Sequence, residues 1–277
     1  MSKRIDLLRL DYTFSVIVPM LLAIFLNELN PFHHIDIILG FIFLAITGNT
    51  WNDVIDMRDP EEKETLERVE GYHPREIFTI GLTTFILGVT LLMRTCLANP
   101  INGVLLIIII VMVLLYCVWY KPVPILNHIL LGASHILLPY FIIKFDAGLI
   151  GPGDPWLTTI EWILMLTFFS FAITGQLVHE VIDNDSMRKK LSLKQCQIAI
   201  WISSIITLVL GTMVFIFFPA NYKFYFIPFI FFPIGTMFTF RRPTESTKGV
   251  KDVGILIGNF LLLYFICLII LQMAGVI

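Results

Sequence analysis

The sequence has 277 residues, of which 57% are hydrophobic and only 14% are charged, and its formal net charge is −2. Soluble domains carry about 25% charged residues, so this composition excludes an ordinary soluble enzyme, a disordered chain and a nucleic-acid-binding protein driven by net charge. Most of the apolar surface must therefore be solvated by lipid.

Nine apolar segments follow one another along the chain, and each is predicted to be a membrane-spanning helix. About 20 apolar residues cross a bilayer core of roughly 30 Å, and runs of Leu, Ile and Phe without period-two alternation indicate helices rather than barrel strands. The segments are residues 12–26, 35–50, 77–93, 101–119, 125–143, 157–178, 198–218, 224–240 and 253–276. Several are short, so we expect their polar ends to continue as helix.

The basic residues predict how these helices are oriented, because Lys and Arg are enriched in cytoplasmic loops. With nine helices and a cytoplasmic N terminus, 16 of the 19 Lys and Arg residues fall on the cytoplasmic side. The other three are Arg94, Lys144 and Lys223. We therefore predict one multi-pass domain over residues 1–277 in the cytoplasmic membrane, with its N terminus inside and its C terminus outside.

The ends of the second and sixth apolar segments carry the same sequence pattern. Residues 45–56 and 172–183 are identical at seven of twelve positions, and Asp53 aligns with Glu180. The two copies are 127 residues, or four helices, apart, so both point to the same membrane side. This predicts two parallel pseudo-repeats of four helices, followed by a ninth helix.

Each copy ends on polar residues at helical spacing. Asn52 and Asp56 are four residues apart, and Asp53 precedes Asp56 by three. Glu180 and Asp183 repeat the spacing of three, so each set shares one helix face. If the two faces oppose each other near the cytoplasmic surface, their carboxylates repel unless a cation lies between them. Oxygen ligands at a wet site favour Mg²⁺, which usually shares its shell with substrate phosphates.

A phosphate group bound beside such a metal also needs direct cationic contacts. Lys121 is one candidate, because it follows Tyr116 in an aromatic run at the end of the fourth segment. Arg68 and Arg242 lie on the same predicted face. The alternative is that these residues, like the acids of the loop around Glu64, are ordinary charges at the cytoplasmic surface.

These residues resemble the motifs of a known family. The run Asn-Asp-Val-Ile-Asp at residues 52–56 looks like the first Asp-rich motif, NDxxDxxxD, of the UbiA superfamily of intramembrane prenyltransferases. Residues 179–183 look like the start of its second motif. Tyr116 and Lys121 resemble the family's Tyr/Lys pair after helix four, with one extra residue between them.

The last acid of each family motif has no counterpart at the expected position. In the first motif that position is Pro60, and the nearest acid is Asp59. In the second motif it is Met187, and the nearest acid is Asp185. These departures raise the possibility of a weakened enzyme and leave the subfamily open.

The resemblance implies a nine-helix fold that binds Mg²⁺ and an allylic isoprenyl diphosphate between its two motifs. It implies metal ligation by Asn52, Asp53, Asp56, Glu180 and Asp183, catalytic roles for Asp56, Asp183, Lys121 and Tyr116, and diphosphate binding by Lys121, Arg68 and Arg242. The prenyl group would pass, at the cytoplasmic face, to a small acceptor such as an aromatic acid, a quinone precursor, a tetrapyrrole or a glycerol phosphate lipid. We expect no nucleic acid partner and no obligatory protein partner.

Two other functions stay open. A UbiA-type terpene cyclase would ionise the same diphosphate without an acceptor. An ion-coupled transporter could also carry parallel repeats with acids, although transporter sites lie near the bilayer midplane in broken helices. Here the acids follow the apolar runs instead.

Overall fold

The computed structural model describes residues 3–60, 62–184, 186–218, 224–241 and 248–277. Every secondary-structure element among these residues is helical. Three residues that the sequence singled out, Asp185, Lys223 and Arg242, lie outside the described residues.

One main helix lies in each predicted apolar segment. The helices are α1 (Phe14–Leu26), α2 (Ile35–Asp56), α3 (Pro74–Ala98), α4 (Pro100–Tyr120), α5 (Leu126–Asp146), α6 (Thr159–Ile182), α7 (Leu193–Phe217), α8 (Pro228–Thr239) and α9 (Lys248–Met273). In the described part of the chain, seven helices, α2 to α7 and α9, are long and apolar enough to cross a membrane. The apolar stretches of the other two, Leu10–Leu26 and Ile230–Thr239, are shorter.

Local sequence sets where several helices begin. Thr158 precedes α6, and its hydroxyl accepts a hydrogen bond from the Glu161 N–H while the Glu161 carboxylate accepts one from the Thr158 N–H. Ser192 and Gln195 make the same reciprocal pair at the start of α7. Such capping boxes satisfy backbone donors that have no partner inside the helix.

Each copy of the repeated sequence packs on the helix that follows it. In the first copy, Thr47 of α2 hydrogen bonds Thr84 of α3 at 2.9 Å. In the second copy, Thr174 of α6 hydrogen bonds Ser203 of α7 at 2.6 Å. Thr47 and Thr174 are aligned in the repeat, so the sequence similarity extends to the packing of the two copies.

Small residues bring α2 and α3 close together. A Cβ atom on Gly88 would lie 2.9 Å from the carbonyl oxygen of Gly40, and one on Gly81 would collide with the Trp51 ring. The Trp51 ring stacks instead on Phe78 of α3, with 5.6 Å between the ring centroids. This packing holds the end of α2, which carries the first motif, firmly against α3.

Helix α1 lies at the centre of the described bundle. Met20, Leu22, Ile24 and Phe25 have no exposed surface. A helix that is apolar all round is typical of such a buried position. It packs on α5 and α9 and also contacts α2, so elements from both repeats share one core.

Ion pairs at one end of the bundle show that neighbouring helices run antiparallel. Arg94, near the end of α3, binds Asp36 at the start of α2 at 2.5 Å and Asp146 at the end of α5 at 3.3 Å. The Lys144 ammonium binds the Glu161 carboxylate at 2.7 Å, and both side chains are buried. Asp36 lies at the start of the helix that ends at Asp56, and Glu161 lies at the start of the helix that carries Glu180 near its end. The acidic motifs therefore lie at the end of the bundle opposite to these ion pairs, which we call the motif end.

Candidate active site

The first motif lies on the last turns of α2, which runs without interruption through Asp56. Asp53 is completely buried and accepts two hydrogen bonds from the Arg68 guanidinium, at 2.7 and 3.1 Å. Arg9 approaches the same carboxylate at 3.7 Å. Burial lowers the pKa of Arg68, but the bonds to Asp53 outweigh this and keep its pKa above the usual range. The Asp53 carboxylate is thus neutralised by the chain itself.

Asp56 has a different cation. Its carboxylate accepts a hydrogen bond from the Asn52 amide at 2.7 Å and another from the Lys121 ammonium at 2.8 Å. The same ammonium donates to Glu62 at 2.8 Å. Burial lowers the pKa of Lys121, but the two carboxylates raise it by more, so its pKa lies above the usual range. Lys121 therefore stays protonated between two acids.

A π-helical turn accounts for the spacing between Tyr116 and Lys121. Residues Tyr116–Tyr120 form this turn, and the Lys121 N–H donates to the Tyr116 carbonyl at 2.9 Å, a bond across five residues instead of four. A π turn accommodates one additional residue in a helix. The π turn therefore accommodates the extra residue between Tyr116 and Lys121, and Lys121 lies one turn beyond Tyr116.

The second motif lies at the end of α6, which is also uninterrupted up to Ile182. Glu180 is buried and accepts hydrogen bonds from the Asn127 amide at 2.6 Å and from the backbone N–H of Met187 at 3.1 Å. Met187 stands where the family motif has its last acid, and it contacts the site through its backbone. Asp183, partly exposed, pairs with His179 at 3.3 Å.

Asn127, at the start of α5, joins the two motifs. Its amide donates both to Glu180 and to the Lys121 carbonyl, the latter at 3.2 Å, while Lys121 binds Asp56 through its side chain. The sequence analysis did not identify Asn127. The only signal for it is a pair of polar residues, Asn127 and His128, that opens an apolar segment just after Lys121.

The donor atoms at the motif end fit Mg²⁺ in their chemistry. Asn52 Oδ1 and Gln176 Oε1 are buried oxygens that have no hydrogen-bond partner among the described residues. Gln176 lies one turn before Glu180, and it too was not identified from the sequence. No three Asp, Glu, His or Cys side chains within the described ranges are already grouped to hold a metal ion. The carboxylates of Asp53 and Asp56 are paired with cations instead.

The predicted residues form two groups, and Asp53 and Asp56, near the end of α2, each belong to one of them. In one group, Asp53 binds Arg68. In the other, Asp56 binds Asn52 and Lys121, and Asn127 connects the Lys121 backbone to Glu180. Tyr116 lies at the start of the π turn, and Asp183 lies at the end of α6. The mutual repulsion expected from the sequence is relieved within the chain by Arg68 and Lys121.

The fold is similar to solved structures of one family. A UbiA homolog from Archaeoglobus fulgidus bound to GPP and Mg²⁺ matches with a TM-score of 0.71 and 16% sequence identity, over 97% of this chain and 99% of that chain. The same homolog bound to DMAPP and Mg²⁺ matches with a TM-score of 0.69. A digeranylgeranylglyceryl phosphate synthase matches with a TM-score of 0.61 and 14% identity, over 98% of this chain and 99% of that one.

Sequence comparison leads to the same family. No curated protein matches the chain in sequence. The model of the UbiA prenyltransferase family matches residues 16–252, which is most of the chain. With seven helices able to span a bilayer, the protein is an integral membrane protein. The match confirms the resemblance seen in the two acidic motifs: the chain belongs to the UbiA prenyltransferase family.

Proposed function

We propose that the protein is a Mg²⁺-dependent prenyltransferase that transfers a prenyl group from an allylic isoprenyl diphosphate to a small acceptor in the membrane. The observation that carries this proposal is the hydrogen-bonded path from Asp56 through Lys121 and Asn127 to Glu180. It links the acids of both motifs at one end of the bundle. Family membership and the GPP- and DMAPP-bound homologs support it.

The proposed metal ligands are oxygen atoms of both motifs. Mg²⁺ held there would act as a Lewis acid that stabilises the charge on the departing diphosphate. The ligands are Asn52, Asp53, Asp56, Glu180 and Asp183. Gln176 adds a further buried oxygen on the same helix face as Glu180.

Lys121 and Arg68 are the proposed diphosphate-binding groups among the described residues. Both already lie at the motif end, and both remain charged because carboxylates raise their pKa values. If Asp53 and Asp56 held Mg²⁺, these cations would become available to diphosphate oxygens. The Arg68 fork suits a bidentate contact with a phosphate. Arg242 is predicted for the same role, and Tyr116, one turn before Lys121, is proposed as a catalytic residue.

The reaction breaks the allylic C–O bond, and the electron pair leaves with the diphosphate. A nucleophilic atom of the acceptor then forms a bond to the allylic carbon and loses its proton. The apolar tail of the donor would lie among the helices, away from water that could capture the carbocation. We place this chemistry at the cytoplasmic face of a nine-helix bundle with an inside N terminus, an orientation that the distribution of Lys and Arg supports.

An assay of the purified protein in lipid nanodiscs tests the proposal. It combines labelled allylic diphosphates of several chain lengths with aromatic, quinone-precursor, tetrapyrrole and glycerol phosphate acceptors, and it detects products by mass spectrometry. Asp56→Asn and Lys121→Met should lose about 100-fold or more in turnover. Lys194→Gln, which changes an exposed lysine at the start of α7, is the matched control and should retain activity.

The same assay separates the alternative functions. A cyclised hydrocarbon formed from the donor alone would identify a terpene cyclase. Absence of donor cleavage with every acceptor, together with absence of diphosphate binding, would refute the proposal. The transporter alternative is less consistent with the fold, because α2 and α6 run unbroken into their acids.

A further inference from the structure

Glu180 is held by a buried polar pair at the start of α5. Asn127 and His128 are 4% and 2% exposed, and both side chains approach the same carboxylate oxygen. The Asn127 amide lies 2.6 Å from Glu180 Oε1, and the His128 Nε2 atom lies 3.4 Å from it.

The hydrogen bonds of His128 define which ring nitrogen carries its proton. His128 Nδ1 accepts the backbone N–H of Ile125 at 3.2 Å, so the proton of the neutral ring is on Nε2. Nε2 is buried and makes no hydrogen bond to any described residue. It is thus a donor directed toward Glu180 that this arrangement does not yet use.

The backbone just before the pair is strained. Ile125 has φ of 72° and ψ of −54°, a conformation that a β-branched residue rarely adopts. Its N–H is the group that fixes the His128 ring. Strained residues cluster where the surrounding structure enforces a functional geometry. Here the strained residue stands two positions before the first of the two polar side chains that face Glu180.

The short link between α4 and α5 also contacts both motif loops. The Lys121 ammonium binds Glu62 in the loop after α2, and the Lys190 ammonium, after α6, donates to the Pro122 carbonyl at 3.0 Å. Asn127 also binds the Lys121 carbonyl, so residues of both motifs are in contact with this link.

We propose that Asn127 is a positioning residue that fixes the Glu180 carboxylate for Mg²⁺ ligation and keeps Lys121 in register with it, with His128 as the second donor. This inference rests on the proposed function. Glu180 occupies the position of Asp53 in the repeat, but its side chain has one more rotatable bond. Its orientation therefore needs more restraint than that of an aspartate.

The test measures Mn²⁺ binding by electron paramagnetic resonance, in nanodiscs and with a non-hydrolysable geranyl diphosphate analogue. Asn127→Ala should weaken Mn²⁺ binding at least tenfold, and Glu180→Gln by a similar factor. The double variant should bind no more weakly than Glu180→Gln alone, since Asn127 acts through Glu180. Asn127→Ser keeps a side-chain oxygen at the helix start and should weaken Mn²⁺ binding as Asn127→Ala does. It replaces the alanine variant in this test if that variant does not fold.

Asn102→Ala is the matched control. Asn102 is a fully buried asparagine whose amide donates to Thr95 and to the Ile142 carbonyl, far along the chain from both motifs. Its loss should lower the thermal midpoint and leave Mn²⁺ affinity unchanged. If the Asn127 variants behave like Asn102→Ala, or if the losses add in the double variant, the positioning role is wrong. A wild-type protein that binds no Mn²⁺ with the analogue would overturn the proposed function itself.

Discussion

Two lysines at opposite ends of the bundle, Lys144 buried and Lys121 partly exposed, are expected to respond differently to removal. At the motif end, the Lys121 ammonium binds Asp56 and Glu62. At the other end, the Lys144 ammonium binds Glu161 at 2.7 and 2.9 Å and the Trp156 carbonyl at 3.1 Å. We predict that Lys144→Met mainly lowers stability, while Lys121→Met mainly lowers diphosphate affinity.

The exposure of each ion pair determines the size of these effects. Lys144 and Glu161 have 6% and 9% exposed side chains, so Lys144→Met leaves a buried carboxylate without its cation and should destabilise the protein by about 3–5 kcal/mol. Lys121 is 19% exposed and Glu62 30%. Water screens the Lys121–Glu62 pair better, and the Asp56 carboxylate, which is 8% exposed, keeps its hydrogen bond to Asn52, so Lys121→Met should destabilise the protein less, by about 1–3 kcal/mol.

Two measurements on each variant test this pattern. The unfolding midpoint in detergent should fall further for Lys144→Met than for Lys121→Met. Affinity for a non-hydrolysable diphosphate analogue, measured with Mg²⁺ present, should fall about 10- to 100-fold for Lys121→Met, because a charge-assisted hydrogen bond to phosphate is lost. It should stay at the wild-type value for Lys144→Met. Equal analogue affinity in the two variants would refute the role assigned to Lys121.

Three further outcomes are expected. Gly81→Ala should destabilise the protein by about 1–3 kcal/mol in thermal unfolding, because the added Cβ would collide with Trp51. Gly235→Ala, whose added Cβ meets open space, should be neutral or slightly stabilising. Equal unfolding midpoints for the two variants would contradict this. Deletion of Val118 should convert the π turn to an α turn, and the variant should retain most of the turnover. Deletion of Val111, in the α-helical part of α4, should change the orientation of the following helical residues, including Lys121, and abolish turnover. Mg²⁺ should tighten binding of the diphosphate analogue about 5- to 150-fold in calorimetry, and Asp56→Asn should remove this coupling; equal affinity with and without Mg²⁺ would count against it.

Much of the fold could be predicted because it depends on patterns that are local in sequence. Each apolar segment contains a helix, and the polar ends of two of them continue as helix, to Asp56 in α2 and to Ile182 in α6. Bilayer thickness and backbone hydrogen bonding dictate both results. The acidic motifs could be found for the same reason, since side chains three and four residues apart share a helix face.

The partners of these acids could not be predicted, because they come from distant parts of the chain. Arg68 reaches Asp53 only after the loop between α2 and α3 folds back, and Lys121 reaches Asp56 across 65 residues. The sequence identified Lys121 and Arg68 as candidate diphosphate ligands, but nothing local in it showed which acid each would contact. Asn127 was missed because a polar residue in an apolar segment is also typical of an ordinary interhelical hydrogen bond.

The pairing of the acids changes how ligand binding should be understood. Acids that repelled one another would need a metal merely to stay together. Asp53 and Asp56 instead have Arg68 and Lys121 as cations, so they are balanced before any ligand binds. In the proposed site, Mg²⁺ alone would have to displace these cations, and a diphosphate alone would have to draw them away from the acids. With both ligands bound, the acids would ligate Mg²⁺ and the cations would bind the diphosphate, so every charge would keep a partner. Because each ligand relieves the penalty of the other, their binding should be coupled, and the coupling should depend on Lys121 and Arg68.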